Sequence, residues 1–246
     1  MHNLTDVTFV IPYLQDSKER RQNLYCIVAW LVENFKTHII IHEESNTPTL
    51  IHSITLNEYA TVMHSPEEIA GVFYRTKVIN DAIKKVKTPA ICIYDTDVIF
   101  DSKNLAEAMR LIKKHHMVFP YDGTFVDIER SYIQDGKIRE RDSHAINSYG
   151  GAVFIRTLDY WNAGLESEHI VSWGPEDGER YERMKTLGYS IARVPGKCYH
   201  IEHARGINSG PKNPYTNANL KEYHKVKEMS REDLIAYTKS WQCAKL

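Results

Sequence analysis

A chain of 246 residues, 42% hydrophobic and 26% charged, is neither disordered nor fibrous, and at this length folding hides roughly 70% of its surface without a disulfide staple. Thirty-one Lys and Arg against thirty-two Asp and Glu leave a net charge of -1, which argues against a protein that grips nucleic acid through bulk charge. No run approaches the ~18 apolar residues of a membrane span, and Asp6, Asp16, Lys18, Glu19, Arg20 and Arg21 speak against a signal peptide, so no transmembrane segment and a cytoplasmic location are expected.

The first expected strand covers 6–13, where DVTFVIPY is nearly continuous in apolar residues, as in a strand covered on both faces. A helix over 17–35 follows, with apolar residues three and four apart. Strand 37–42 (THIIIH), helix 71–87 and strand 89–100 (PAICIYDTDVIF) continue the alternation, which predicts a parallel, three-layer α/β sheet. A helix over about 103–115 leads into the strand HMVFPY, and 127–149, charged and aperiodic, reads as an excursion over the strand ends. A strand at 151–156 (GAVFIR), a helix after WGPED and a short strand at 189–195 follow; 204–219 is loop by composition and 220–240 a closing helix. One domain is expected over 1–246, with about 1–100 a nucleotide-binding half and about 101–246 an acceptor-binding half ending in a lid and helix. Cys26, Cys92, Cys198 and Cys243 form no CxxC pair and read as buried thiols.

Asp95-Thr96-Asp97 is read as the carboxyl end of a strand, where ligands of open α/β sheets bind and where residues i and i+2 point the same way. Two carboxylates would then face one site, and hard oxygens suit Mg2+ or Mn2+, ions that bridge phosphates. Such a tripeptide can also be a solvated turn, but its apolar flanks point to burial, and burying carboxylates is costly without a metal or hydrogen-bond donors. Trp173-Gly174-Pro175-Glu176-Asp177-Gly178-Glu179 reads as a helix start, with Pro at the first helical position and acids in the first turn. Glu176 and Asp177 diverge by about 100° on a helix and can serve separate roles; a carboxylate beside an acceptor hydroxyl is a candidate general base. In His200-Ile201-Glu202-His203 the spacing of three puts both imidazoles on one side of a turn or helix, and imidazole suits Mn, Fe, Co or Zn. His115-His116 shows that twelve histidines also pair by accident; it ends a helix, where positive charge meets the negative end of the dipole. Phe73-Tyr74-Arg75 opens a helix and Pro12-Tyr13 ends a strand ahead of Arg20 and Arg21, so these residues either stack on a base and pair with phosphate or pack at the surface. From Lys197 to Arg231, seven Lys and Arg against three Glu suit either a solvated face or a mobile lid closing on an anion.

Taken in order, Pro12-Tyr13 with Arg20/Arg21, Phe73-Tyr74-Arg75, DTD, Tyr149-Gly150-Gly151, WGPED and HIEH resemble the β4-galactosyltransferase family of inverting, metal-dependent glycosyltransferases, over nearly the whole chain. The resemblance implies an α/β protein of the GT-A glycosyltransferase fold, with a mixed, mostly parallel central sheet flanked by helices. It implies that Pro12, Arg20 or Arg21, Phe73 and Arg75 hold uridine and phosphate, that Asp95 contacts the nucleotide, and that Gly151 belongs to the donor site. Asp97, His200 and His203 would bind Mn2+, or Mg2+; Trp173 and Glu176 would hold the acceptor and Asp177 would take its proton. Gly178 stands where members carry another acid. Galactose-specific members place a tyrosine two residues before the first glycine of the Gly-Gly pair; this chain has Ser148 there, which leaves room for an acetamide unless a one-residue shift lets Tyr149 fill the same space. The implied reaction moves galactose or N-acetylgalactosamine from UDP-Gal or UDP-GalNAc to a sugar hydroxyl of a glycan or glycolipid acceptor. A sugar-1-phosphate nucleotidyltransferase would also use an α/β nucleotide domain and carboxylate-bound Mg2+, but no glycine-rich phosphate loop follows residue 12. A non-catalytic sugar-nucleotide binding module would have no use for Asp177 beside Glu176.

Overall fold

The structure, a computed structural model, describes residues 1–134, 137–138, 143–145, 147–210 and 212–241. Cys243 lies outside the described residues. Val7 to Leu14 are buried without interruption, as a strand sandwiched between helices must be, and form the inner part of β1 (His2–Leu14). Ser17, whose hydroxyl accepts from the Arg20 amide at 3.1 Å, then starts α1 (Lys18–Asn34). The chain continues through β2 (Phe35–Glu44), α2 (Ile54–Tyr59), β3 (Thr61–Ser65), α3 (Arg75–Ile83), β4 (Ala90–Tyr94), β5 (Val98–Ile99) and α4 (Ser102–Ile112). Next come β6 (Met117–Phe119), β7 (Thr124–Ile128), β8 (Ile133–Gln134), β9 (Lys137–Ile138), β10 (Ser143–Ala145), β11 (Ala152–Arg156) and α5 (Thr157–Asn162). The last elements are α6 (Glu176–Thr186), β12 (Ile191–Arg193), β13 (Lys197–Ile201), α7 (Thr216–Glu228) and α8 (Arg231–Ser240).

The main sheet has seven strands in the order β12-β6-β11-β4-β1-β2-β3. Its pairs are parallel except where β11 runs antiparallel between β4 and β6, so the sheet is mixed and mostly parallel rather than purely parallel. A four-stranded sheet, β10-β7-β13-β5, lies beside it. One apolar cluster runs from Leu4 in β1 to Leu234 in α8, with Phe9 edge-on to Tyr94 and Phe154 at centroid distances of 5.5 and 6.0 Å.

Several expectations are corrected. The strand expected over 89–100 leaves the main sheet at Tyr94; Thr96 and Asp97 form a turn, and Val98-Ile99 join the second sheet against β13. Asp95 and Asp97 therefore do not face one way as alternate residues of a strand. HIEH begins in β13 and ends beyond it, so no helix brings its imidazoles together. The helix expected over 220–240 is two, because the Ser230 hydroxyl accepts from the Asp233 amide at 3.1 Å and starts α8 afresh. The short elements α2 and β3 were not expected, and Asp127 and Ile128 belong to β7 rather than to an irregular excursion. Pro175 sits at the N-cap of α6, one position before the first helical residue. Cys92 and Cys198 are buried, Cys26 only partly, and all three are free thiols. Among the described residues no helix is long and apolar enough to cross a membrane.

Candidate active site

The carboxyl ends of β1 and β4, the residues before β11 and the amino ends of α3 and α6 converge on an open cleft of about 1050 Å³ including the solvent at its mouth. It lies where ligands of open α/β sheets bind. Pro12, Arg20, Phe73, Arg75, Asp95, Asp97, Gly151, Trp173, Glu176, Asp177, His200 and His203 all line it, although they come from separate stretches of sequence. Of the two basic residues after β1, Arg20 reaches the cleft; Arg21 lies over the Tyr25 ring at 5.9 Å. Ser148 is half-buried and not part of the lining: its hydroxyl accepts from the Gly150 amide at 3.2 Å and its carbonyl from Arg193 at 2.8 Å.

At one end sit Asp97, His200 and His203, whose ligand atoms all lie within 4.8 Å of one another. His203 Nε2 is 2.9 Å and His200 Nε2 3.9 Å from the Asp97 carboxylate. One carboxylate and two imidazoles are the donor chemistry of a transition-metal site, and they fit Mn2+. Burial alone would raise the Asp97 carboxyl, but the hydrogen bond from His203 and the charges of His200 and Arg20 prevail and hold it down at about 2. The same hydrogen bond raises the pKa of His203 above its ordinary value against the opposing effect of burial. Arg20, tied to Asp16 at 2.9 Å, stands 3.6 Å from Asp97.

At the centre Arg75, the first residue of α3, reaches Asp95 at 2.5 Å and Glu176 at 3.3 Å. Asp95 also accepts from the Gly151 amide at 3.2 Å. Gly151 has φ +82, and a Cβ there would stand 2.9 Å from the Cys198 sulfur, so only glycine lets this backbone approach Asp95. Burial raises the Asp95 carboxyl above its ordinary range despite Arg75. Glu176 is pushed up to about 8, by burial first and the neighbouring Asp177 second, with Arg75 offsetting only part.

At the far end Asp177 presents two unlike oxygens. Oδ1 accepts from Arg180 Nη1 at 2.8 Å, while Oδ2 is 3.0 Å from where a Cβ on Gly150 would stand. Arg180 is itself fully buried and anchored by Glu166 at 2.7 Å and the Tyr160 hydroxyl at 3.2 Å, with Tyr160 donating to Glu166. Glu179 turns away from the cleft and pairs with buried Arg183 at 2.7 Å.

The sequence reading missed Tyr160, Glu166, Arg180 and Asp127. The one local signal was Arg180 three residues after Asp177, a spacing that meets on a helix. Gly174 has a packing reason that a helix start does not supply: a Cβ would meet Asn219 Nδ2 at 2.7 Å and Ile170 at 2.9 Å, and that Asn219 nitrogen donates to the Trp173 carbonyl at 2.9 Å. Past His203, Arg205, Asn208 and Ser209 border the cleft. Asn208 clasps its rim, accepting from the Phe73 amide at 3.1 Å and from the Ser172 hydroxyl and donating to the Gly71 carbonyl at 3.0 Å.

The architecture is similar to two solved glycosyltransferase structures. GalNAc-T7 with UDP, GalNAc and Mn2+ matches 95% of this chain with a TM-score of 0.62 at 13% identity, and this chain spans 50% of that one. A mutant of Drosophila β1,4-galactosyltransferase 7 with manganese, UDP-Gal and xylobiose matches 82% of this chain and 72% of its own, with a TM-score of 0.53 at 15% identity. The fold is GT-A. At these identities the likeness extends to the fold alone. No family model matches the chain, and no curated protein matches it by sequence. Within the GT-A fold, the cleft joins a group that could hold a metal ion, a buried cation between two carboxylates and a carboxylate with one oxygen pinned.

Proposed function

We propose that this chain is a metal-dependent inverting glycosyltransferase that moves galactose or N-acetylgalactosamine from UDP-Gal or UDP-GalNAc to a sugar hydroxyl of a glycan or glycolipid. The observation that carries the reading is that Asp97, His200 and His203 open onto the same cleft as Asp177, held at its other end by Arg180. One group suits a departing diphosphate and the other an attacking hydroxyl. Mn2+ held by Asp97, His200 and His203 would stabilise the negative charge that grows on the leaving group, and two nitrogen donors favour Mn2+ over Mg2+.

Arg75 and Arg20 supply fixed positive charge where that anion develops, which stabilises the transition state more than the ground state. Pro12 and Phe73 offer apolar walls for the base, and Asp95, fixed by Arg75 and the Gly151 amide, faces the nucleotide. At the acceptor end Trp173 gives a face for a sugar ring, and Glu176, protonated near neutral pH, can donate a hydrogen bond to it. Asp177 takes the proton of the attacking hydroxyl on Oδ2 while Oδ1 stays with Arg180. One displacement at the anomeric carbon inverts it. Ser148 lies outside the cleft lining with its hydroxyl on the Gly150 amide, so nothing at position 148 crowds an acetamide and N-acetylgalactosamine stays open as a donor sugar.

The test is transfer from UDP-Gal and UDP-GalNAc to a panel of oligosaccharides, xylobiose among them because it occupies the Drosophila enzyme. Turnover should vanish in excess chelator and return with Mn2+. Full turnover in chelator would overturn the reading.

A further inference from the structure

Deepening the metal-site reading just proposed, we infer that Asp127 is a positioning residue that makes His200 a metal ligand. β7 and β13 pair in parallel with Asp127 opposite His200, so the sheet register sets the two side by side. Asp127 Oδ1 lies 2.8 Å from His200 Nδ1. A carboxylate can only accept there, so Nδ1 carries the hydrogen and the lone pair of the neutral ring resides on Nε2. Nε2 is the nitrogen that faces Asp97, at 3.9 Å. Phe125, two residues before Asp127, packs on the same imidazole at a centroid distance of 5.6 Å and limits its tilt.

His203 has an equivalent restraint of a different kind. Its Nδ1 is 2.8 Å from the Ala204 carbonyl and its Nε2 2.9 Å from Asp97. That backbone acceptor survives any substitution, so among the described residues it is His200, of the two imidazoles, whose Nδ1 is held by a side chain. A carboxylate behind an imidazole fixes the tautomer and raises the basicity of the ligating nitrogen, and loss of such a partner typically costs 10–100-fold in metal affinity. The Asp127 side chain is 34% exposed, so replacing it strands no buried charge.

The experiment titrates Mn2+ into the full chain without substrate, counting free Mn2+ by its electron paramagnetic resonance and bound nitrogens by electron spin echo modulation. Wild type should bind one Mn2+ with two imidazole nitrogens, and Asp97→Ala should abolish binding. Asp127→Ala should bind roughly 10–100-fold more weakly with one imidazole nitrogen lost or weakened. Asp127→Asn, which keeps an acceptor oxygen but no charge, should fall between. A merely structural Asp127 would lower thermal stability and leave affinity and nitrogen count at wild-type values, which overturns the inference. Wild type that binds no Mn2+ overturns the metal reading itself, and the role of Asp127 falls with it.

Discussion

Asp177 is held by one oxygen and leaves the other for the role proposed above, so anchoring and proton transfer would separate at the level of single atoms. Asp177→Asn keeps the shape and removes the proton acceptor: UDP and Mn2+ affinities by calorimetry should stay within about twofold while kcat falls roughly 10²–10⁴-fold. Unchanged turnover would move the base elsewhere. The Asp97–His203 pair makes a second test, in chelated protein. His203 has a raised pKa, so its contribution is complete below the unfolded value of 6.5 and is lost as pH rises through the folded value. Asp97 is lowered from 3.8 to about 2, so its contribution is present above 3.8 and is lost as pH falls toward 2. The pair therefore stabilises the metal-free protein most between about pH 4 and 6.5. The Tm gap between wild type and His203→Gln should be widest in that window and should narrow on both sides. Mn2+ has to displace the shared proton, so its affinity should rise with pH over the same histidine range.

At the scale of elements, the Gly150-Gly151 approach to β11 fixes how close backbone and Asp95 come. Gly151→Ala places a methyl 2.9 Å from the Cys198 sulfur and 3.3 Å from Phe125 at a φ of +82, and should cost about 1–3 kcal/mol in urea unfolding. Strands such as 6–13 and 37–42 were legible because their centres, Phe9 to Ile11 and Ile39 to Ile41, are apolar and buried. The same property hid the division after Tyr94: Val98 and Ile99 are as apolar as Ile91 and Ile93, and composition carries no mark of a change of sheet. His200 and His203 were legible as a pair on one side of a turn or helix, but neither joins them: β13 ends at Ile201 and the irregular chain beyond it brings His203 to Asp97. The break before α8 did carry a signal, Ser230 with Asp233 three residues on, which the apolar periodicity of 220–240 outweighed. The partners Glu166 and Asp127 were out of reach, because each meets its residue across a fold contact rather than along a helix.

For the whole molecule, Asp95 follows a strand of the seven-stranded sheet and Asp97 precedes a strand of the four-stranded one, so three residues, 95–97, stitch the sheets together at the cleft. Ligand bound there is held by both, and Mn2+ with UDP should raise one calorimetric transition as a unit, by about 2.7 kcal/mol at a hundredfold excess over Kd. Two transitions, with only one shifted, would show that the sheets unfold separately. Arg75 gives this stitch a further meaning. It is one cation shared between Asp95 and Glu176, which the proposed function assigns to the nucleotide and to the acceptor. A diphosphate that draws Arg75 toward itself strips Glu176 of its counter-charge, and an uncompensated buried carboxyl holds its proton more firmly. Above about pH 8, where Glu176 of the empty cleft has given up its proton, it then offers a hydrogen to the incoming sugar more often. Occupancy at one end thus raises affinity at the other, and linkage makes the effect equal in both directions. In binding terms, above about pH 8 the acceptor Kd should be smaller in the presence of UDP than in its absence, and Arg75→Met should remove the difference.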